Sequence, residues 1–126
     1  MATIKSYTDL EQSKKLAEIL PLESADMWYS YYGNTKYNPT IAYKGQQWFL
    51  CQIRNSLHDD IPCWSLAALL DVLPEGTNVI KDESDTENEH YMCTVGIKDD
   101  IISTFGNNSV DACVDMIEKL YEMNLL

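Results

Sequence analysis

The stretch IPCWSLAALLDVLP, Ile61 to Pro74, decides how the rest of the chain is read. Pro62 suits the first position of a helix, where its missing N–H costs nothing, and Pro74-Glu75-Gly76 marks a stop, so the pattern predicts a helix over 62–73. Within it only Ser65 and Asp71 are polar, which reads as a central helix buried nearly all round. On a wheel of about 100° per residue, Cys63 falls with Leu66, Ala67 and Leu70, the position of a small apolar core residue.

On the N-terminal side, Thr8 and Glu11 in TDLEQ form a capping-box pattern, and Leu10, Leu16, Ala17 and Leu20 follow at helical spacing up to Pro21. This predicts a first helix over 9–20. The segment 25–54 is rich in Trp, Tyr, Ile and Phe and is broken at Gly33-Asn34, Asn38-Pro39 and Lys44-Gly45, which reads as a meander of two or three strands. Beyond the central helix, TNVIKD, HYMCTVGI and DIISTF read as strands, with the polar run 83–89 as a hairpin loop. The last helix is expected over 109–124 with Ser109 as its cap. Val110, Cys113, Val114, Ile117, Leu120 and Tyr121 fall on one side of it, and Asp111, Asp115, Glu118 and Glu122 form a narrow acidic stripe on another. Helix, strands, helix, strands, helix is the order of an α+β domain, a mainly antiparallel sheet packed by three helices in two or three layers. At 126 residues the chain suits a single domain covering 1–126.

Composition narrows the function classes. The formal net charge is −11, and residues 85–126 hold nine acidic side chains against two basic ones. Direct binding to nucleic acid requires Lys and Arg to displace counterions from phosphates, and this chain repels phosphates. Apolar runs fall short of the roughly 18 residues of a membrane span, and the N-terminus turns polar before a signal-peptide core could form, so a cytoplasmic protein is expected. Cysteines 51, 63, 93 and 113 contain no CxxC pair and match no disulfide scaffold. Reduced, mostly buried thiols are expected, with no metal or other cofactor.

Three stretches, SYTDLEQSKKLAEILPLESADM (6–27), PCWSLAALLDVLP (62–74) and VDACVDMIEKLYEMNLL (110–126), together resemble a family of short uncharacterised proteins from gut anaerobic bacteria and their phages or integrated elements. The resemblance covers about two fifths of the chain. It implies a phage or mobile-element setting and brings no activity, ligand or catalytic residue with it.

Two chemical readings and two binding readings follow from the residues. A cysteine at a helix start before a Trp is similar to the nucleophile of papain-like and transglutaminase-like enzymes; Cys63 would be the thiolate, His90 its base, Asp99 or Asp100 the orienting group and Gln47 an oxyanion donor. Against this, Asp59 and Asp60 stand immediately before the expected helix, where negative charge favours the neutral thiol. The expected protein is therefore not an enzyme. The run 82–89 has five carboxylates in eight positions but lacks the glycine and alternation of a calcium loop, and reads as a solvated tip. As binding surfaces, the aromatic strand residues Trp28, Tyr29, Tyr31 and Tyr32 have rings on both strand faces, and the stripe of Asp111, Asp115, Glu118 and Glu122 could engage a basic protein or imitate phosphates to a nucleic-acid-binding one. A protein partner is expected in either case.

Overall fold

A computed structural model describes residues 5–31, 48–51, 60–82 and 90–126. Helix α1 spans Leu10–Ala17, and a one-turn 3-10 helix, Leu22–Ser24, follows it. Strands β1 (Met27–Tyr31), β2 (Trp48–Cys51) and β3 (Ile61–Cys63) form an antiparallel sheet in the order β2-β1-β3. Helix α2 (Leu66–Val72) leads to β4 (Asn78–Asp82), β5 (His90–Ile97) and β6 (Asp100–Gly106), a second antiparallel sheet in the order β4-β5-β6. Helix α3 (Ser109–Glu122) packs on this second sheet and on α2, while α1 packs on β3 and α3. The fold is α+β as the element order implies, with the strands divided between two sheets.

The central stretch departs from its expected reading at the first four positions of the expected helix, 62–65. Pro62 lies in β3, opposite Trp28, and not in a helix. Because β3 is an edge strand of its sheet, a residue without an N–H is tolerated there. The helix starts later, at Leu66, because Ser65 caps it: its Oγ accepts from the Ala68 amide at 3.2 Å. Ser65 is itself held by Asp26, whose carboxylate accepts from both its backbone N–H and its hydroxyl. Nor is the helix buried all round. Ala68, Leu69 and the following Leu73 face the core, whereas Ala67 and Leu70 are exposed.

Other boundaries shift for local reasons. In α1 the capping box belongs to Asp9 and Gln12, one residue beyond the expected pair, with Asp9 Oδ1 accepting from Gln12 N at 2.8 Å and Gln12 Oε1 from Asp9 N at 3.1 Å. Thr8 is thereby released inward. The cap of α3 is Asn108, whose Oδ1 accepts from Asp111 N at 2.8 Å, and Ser109 is the first helical residue. At the other end, Asn124 at φ 58° receives the chain in a Schellman motif: Asn124 N donates to Tyr121 O and Leu125 N to Leu120 O. Tyr121, expected on the apolar face, is 50% exposed because the last turn of α3 runs past the core. In the first sheet β1 and β2, the two described strands of the aromatic segment, pair antiparallel, and β3 returns to pair with the other side of β1; residues 32–47 and 52–59 lie outside the described residues.

The core lies between α3 and the faces it meets. Val110, Cys113, Val114, Ile117 and Leu120 are buried, as is Met116, and they meet Cys93 and Val95 of β5, Leu16 of α1 and Leu69 of α2. Gly106 sets the approach of α3 to β6, since a Cβ there would stand 2.6 Å from the Ala112 backbone nitrogen. The acid-rich run 83–89 lies outside the described residues.

Candidate functional site

Among the described residues, Cys63 is a buried strand thiol and does not stand at a helix start. It lies in β3, three residues before α2, so no helix amide addresses its sulfur. The side chain has no solvent exposure. Its Sγ donates toward the Thr8 carbonyl at 3.4 Å and lies 3.5 Å from Thr8 Oγ1, with the Tyr29 hydroxyl donating to the same carbonyl at 2.8 Å. Burial pushes the Cys63 thiol up from its usual pKa, outweighing these hydrogen bonds. His90 is elsewhere. It opens β5 and lines a shallow depression with Gln12, Phe105, Asp111 and Asp115. Asp99 sits in the tight turn between β5 and β6, at the far end of a strand along which His90 and Ile97 are separated by roughly 23 Å. Asp100 begins β6 at that same far end. Gln47 lies outside the described residues. The four proposed catalytic parts that can be placed, Cys63, His90, Asp99 and Asp100, are not brought together.

Of the aromatic residues, Tyr29 is used internally: its ring is half-buried, its hydroxyl is bonded to Thr8, and burial raises its pKa. Trp28 is half-buried on the opposite strand face. Tyr31 lies at the end of β1, opposite Trp48, and Tyr32 lies outside the described residues.

The acidic stripe is a continuous surface with one structural member. Asp111 accepts from Lys5 Nζ at 2.9 Å, from Gln12 Nε2 at 2.9 Å and from Asn108 Nδ2 at 3.0 Å, and so ties the N-terminal segment and α1 to the start of α3. One turn on, Asp115 is exposed, and its carboxyl is pushed above the usual carboxylate range, first by partial desolvation and then by the Asp111 charge, with Lys15 acting in the opposite sense. Glu118 and Glu122 continue the stripe. Facing them across a groove of about 380 Å³ are Lys15, Glu18 and Ile19 of α1 and the turn after it. Among the described residues, Glu18, Glu118 and Glu122 are in no ion pair. Sequence reading finds the α3 acids by their periodicity but misses Glu18, because only the packing of α1 beside α3 brings it to the same edge.

Among the described residues, no helix is long and apolar enough to cross a membrane. No family model, curated protein or solved structure matches the chain.

Proposed function

We propose that the protein is a non-catalytic binding protein that engages a basic protein surface through the acidic edge formed by Asp115, Glu118 and Glu122 of α3 together with Glu18. The observation that supports this most is the rigidity of the edge. Asp115, Glu118 and Glu122 stand on a helix whose other face is locked into the core by Val114, Ile117 and Leu120, and Glu18 caps the end of α1 across the groove from Glu118 and Glu122. Charges held without ion-pair partners on a fixed frame cost little further ordering when a complementary surface arrives. Their mutual repulsion, a few tenths of a kcal/mol for each neighbouring pair, is relieved by a cation between them. Cys63 has no catalytic part in this reading.

An acidic mimic of nucleic acid is the second reading, favoured by the linear arrangement of the acids. With a rise of 1.5 Å per residue, Asp115, Glu118 and Glu122 form a row at roughly 4.5 and 6 Å along the axis, sparser than the roughly 3.4 Å per phosphate of one DNA strand but likewise a line of like charges. The partner would then be the basic site of a DNA- or RNA-binding protein, in keeping with the phage or mobile-element setting and the cytoplasmic location that the sequence implies. Replacing Asp115, Glu118 and Glu122 by Asn, Gln and Gln tests both. Loss of a salt-sensitive partner supports the edge as a binding surface, and displacement of that partner by a DNA or RNA oligonucleotide supports mimicry. Unchanged capture discards both.

A further inference from the structure

Beside the acidic groove, and sharing Ile19 and Tyr121 with it, opens an apolar groove of about 510 Å³. Its walls are Ile19 and Pro21 after α1, Val72 of α2, and Tyr121 and Leu126 from the end of the chain, with Asp71 on its lip. The floor is preformed. Trp64, fully buried, donates its indole N–H to Ser24 Oγ at 2.9 Å, and Ser24 Oγ donates in turn to the Pro21 carbonyl at 2.5 Å, which fixes the 3-10 turn as one wall. Tyr121 and Leu126 are 50% and 44% exposed, an apolar display that a solvated surface does not require. Asp71 lines the apolar groove, and Glu18, Glu118 and Glu122 line the adjoining groove across the shared Ile19 and Tyr121; among the described residues Lys15 is the one cation lining either groove.

We propose that this groove seats the apolar face of a basic amphipathic helix belonging to a protein partner, the carboxylates on its rim taking the Lys and Arg residues that flank that face. The proposal rests on the acidic-edge reading and adds to it a shape and an apolar anchor. The volume accommodates two or three aliphatic side chains at i, i+3 and i+4 spacing, the usual register of a helix in a groove. Charge complementarity selects the occupant. A second copy of this chain would bring another acidic rim against the first, and an anionic lipid surface would be repelled by a net charge of −11.

The test uses fluorescein-labelled 14-residue peptides of Leu and Lys, followed by anisotropy at 0.1 M salt. One has Leu at helical spacing, one is a scramble of the same composition, and one keeps the Leu pattern with Glu in place of Lys. The patterned Leu/Lys peptide is expected to bind at least tenfold tighter than its scramble. Val72→Gln with Tyr121→Ser, both at partly exposed positions, is expected to abolish that preference while leaving the weak binding of the scramble. Asp71→Asn with Glu18→Gln, Glu118→Gln and Glu122→Gln is expected to weaken both Lys peptides. On the unaltered protein, amide shifts confined to 19–24, 68–72 and 121–126 give the same information without relying on a variant that folds. Equal binding of pattern and scramble overturns the groove and leaves the acidic edge standing. Equal binding of the Leu/Glu and Leu/Lys peptides overturns the basic partner in favour of an apolar ligand. Failure of both Lys peptides to bind, or indifference to the rim substitutions, overturns groove and edge together.

Discussion

Replacing Thr8 by Val removes one hydroxyl from a buried polar knot. Thr8 has no solvent exposure, and its Oγ1 accepts from the Trp64 amide at 3.1 Å and contacts Ser13 Oγ at 2.7 Å. Its backbone N–H donates to the Trp64 carbonyl at 2.9 Å, so the N-terminal segment and the β3–α2 junction are joined through this residue. Val keeps the shape and the methyl packing but leaves the Trp64 amide buried without its acceptor, at a cost of about 1–3 kcal/mol. Ser13 recovers part of its loss, since its hydroxyl can turn to the Asp9 carbonyl one helical turn back. The sum is about 2–3 kcal/mol. With an unfolding entropy near 2 cal/mol/K per residue, that lowers the melting temperature of a 126-residue chain by roughly 8–11 °C. Urea and thermal unfolding followed by tryptophan fluorescence measure it. Thr8→Ser, which keeps the hydroxyl and loses one methyl, is expected to cost about 1 kcal/mol. A Val variant within 0.5 kcal/mol of the parent, or a Ser variant less stable than the Val one, would refute the assignment of this stability to the hydroxyl.

Asp115→Asn is expected to raise stability at pH 7. A carboxyl whose folded pKa is raised penalises the folded state above that pKa, and the penalty vanishes below its unfolded value near 3.8, so the gain should disappear when unfolding is measured at pH 3. Lys5 also has a raised pKa, burial lowering it but the hydrogen bonds to Asp111 and Asp9 prevailing, and for a cation this stabilises the fold; its contribution is complete below about 10.5 and fades as pH rises through the folded value, so Lys5→Met should cost stability at pH 7 and approach the parent above pH 11. Lys98 occupies φ 54° in the β5–β6 turn, and Lys98→Gly should stabilise by up to about 1 kcal/mol in chemical unfolding. Native thiol titration should label Cys51, which is partly exposed, well before the fully buried Cys63, Cys93 and Cys113, with all four reacting in denaturant; early labelling of Cys63 would reopen the enzyme reading.

What the sequence makes legible and what it hides divide along the range of the interactions. The last helix is readable because its burial repeats at 3.6 residues over four turns, and the strands β4 to β6 because their alternation and breaks are local. The stretch 61–74 misleads at Pro62, since a proline opens a helix or ends on a sheet edge equally well, and only the pairing of β3 with β1 decides between them. Ser65 was the better local signal for the helix start. The capping box slips from Thr8 to Asp9 because Thr8 is drawn inward by Trp64, a partner 56 residues away. Within the candidate site, Asp115, Glu118 and Glu122 follow from periodicity, whereas Glu18, Asp71 and the apolar groove beside them exist only through the packing of α1 and α2 against α3.

The central claim is that the acidic edge of α3 and α1 binds a basic protein, and a paired capture measures it. The parent chain and the Asp115→Asn, Glu118→Gln, Glu122→Gln variant are immobilised and exposed to a bacterial lysate, washed at 0.1 M and at 1 M salt, and the retained proteins are identified by mass spectrometry. Screening falls from about 10 Å to about 3 Å between these conditions. The expected result is a basic protein retained by the parent at low salt, released at high salt and absent from the folded variant. A retained set that is the same for parent and variant and resists 1 M salt would contradict the claim.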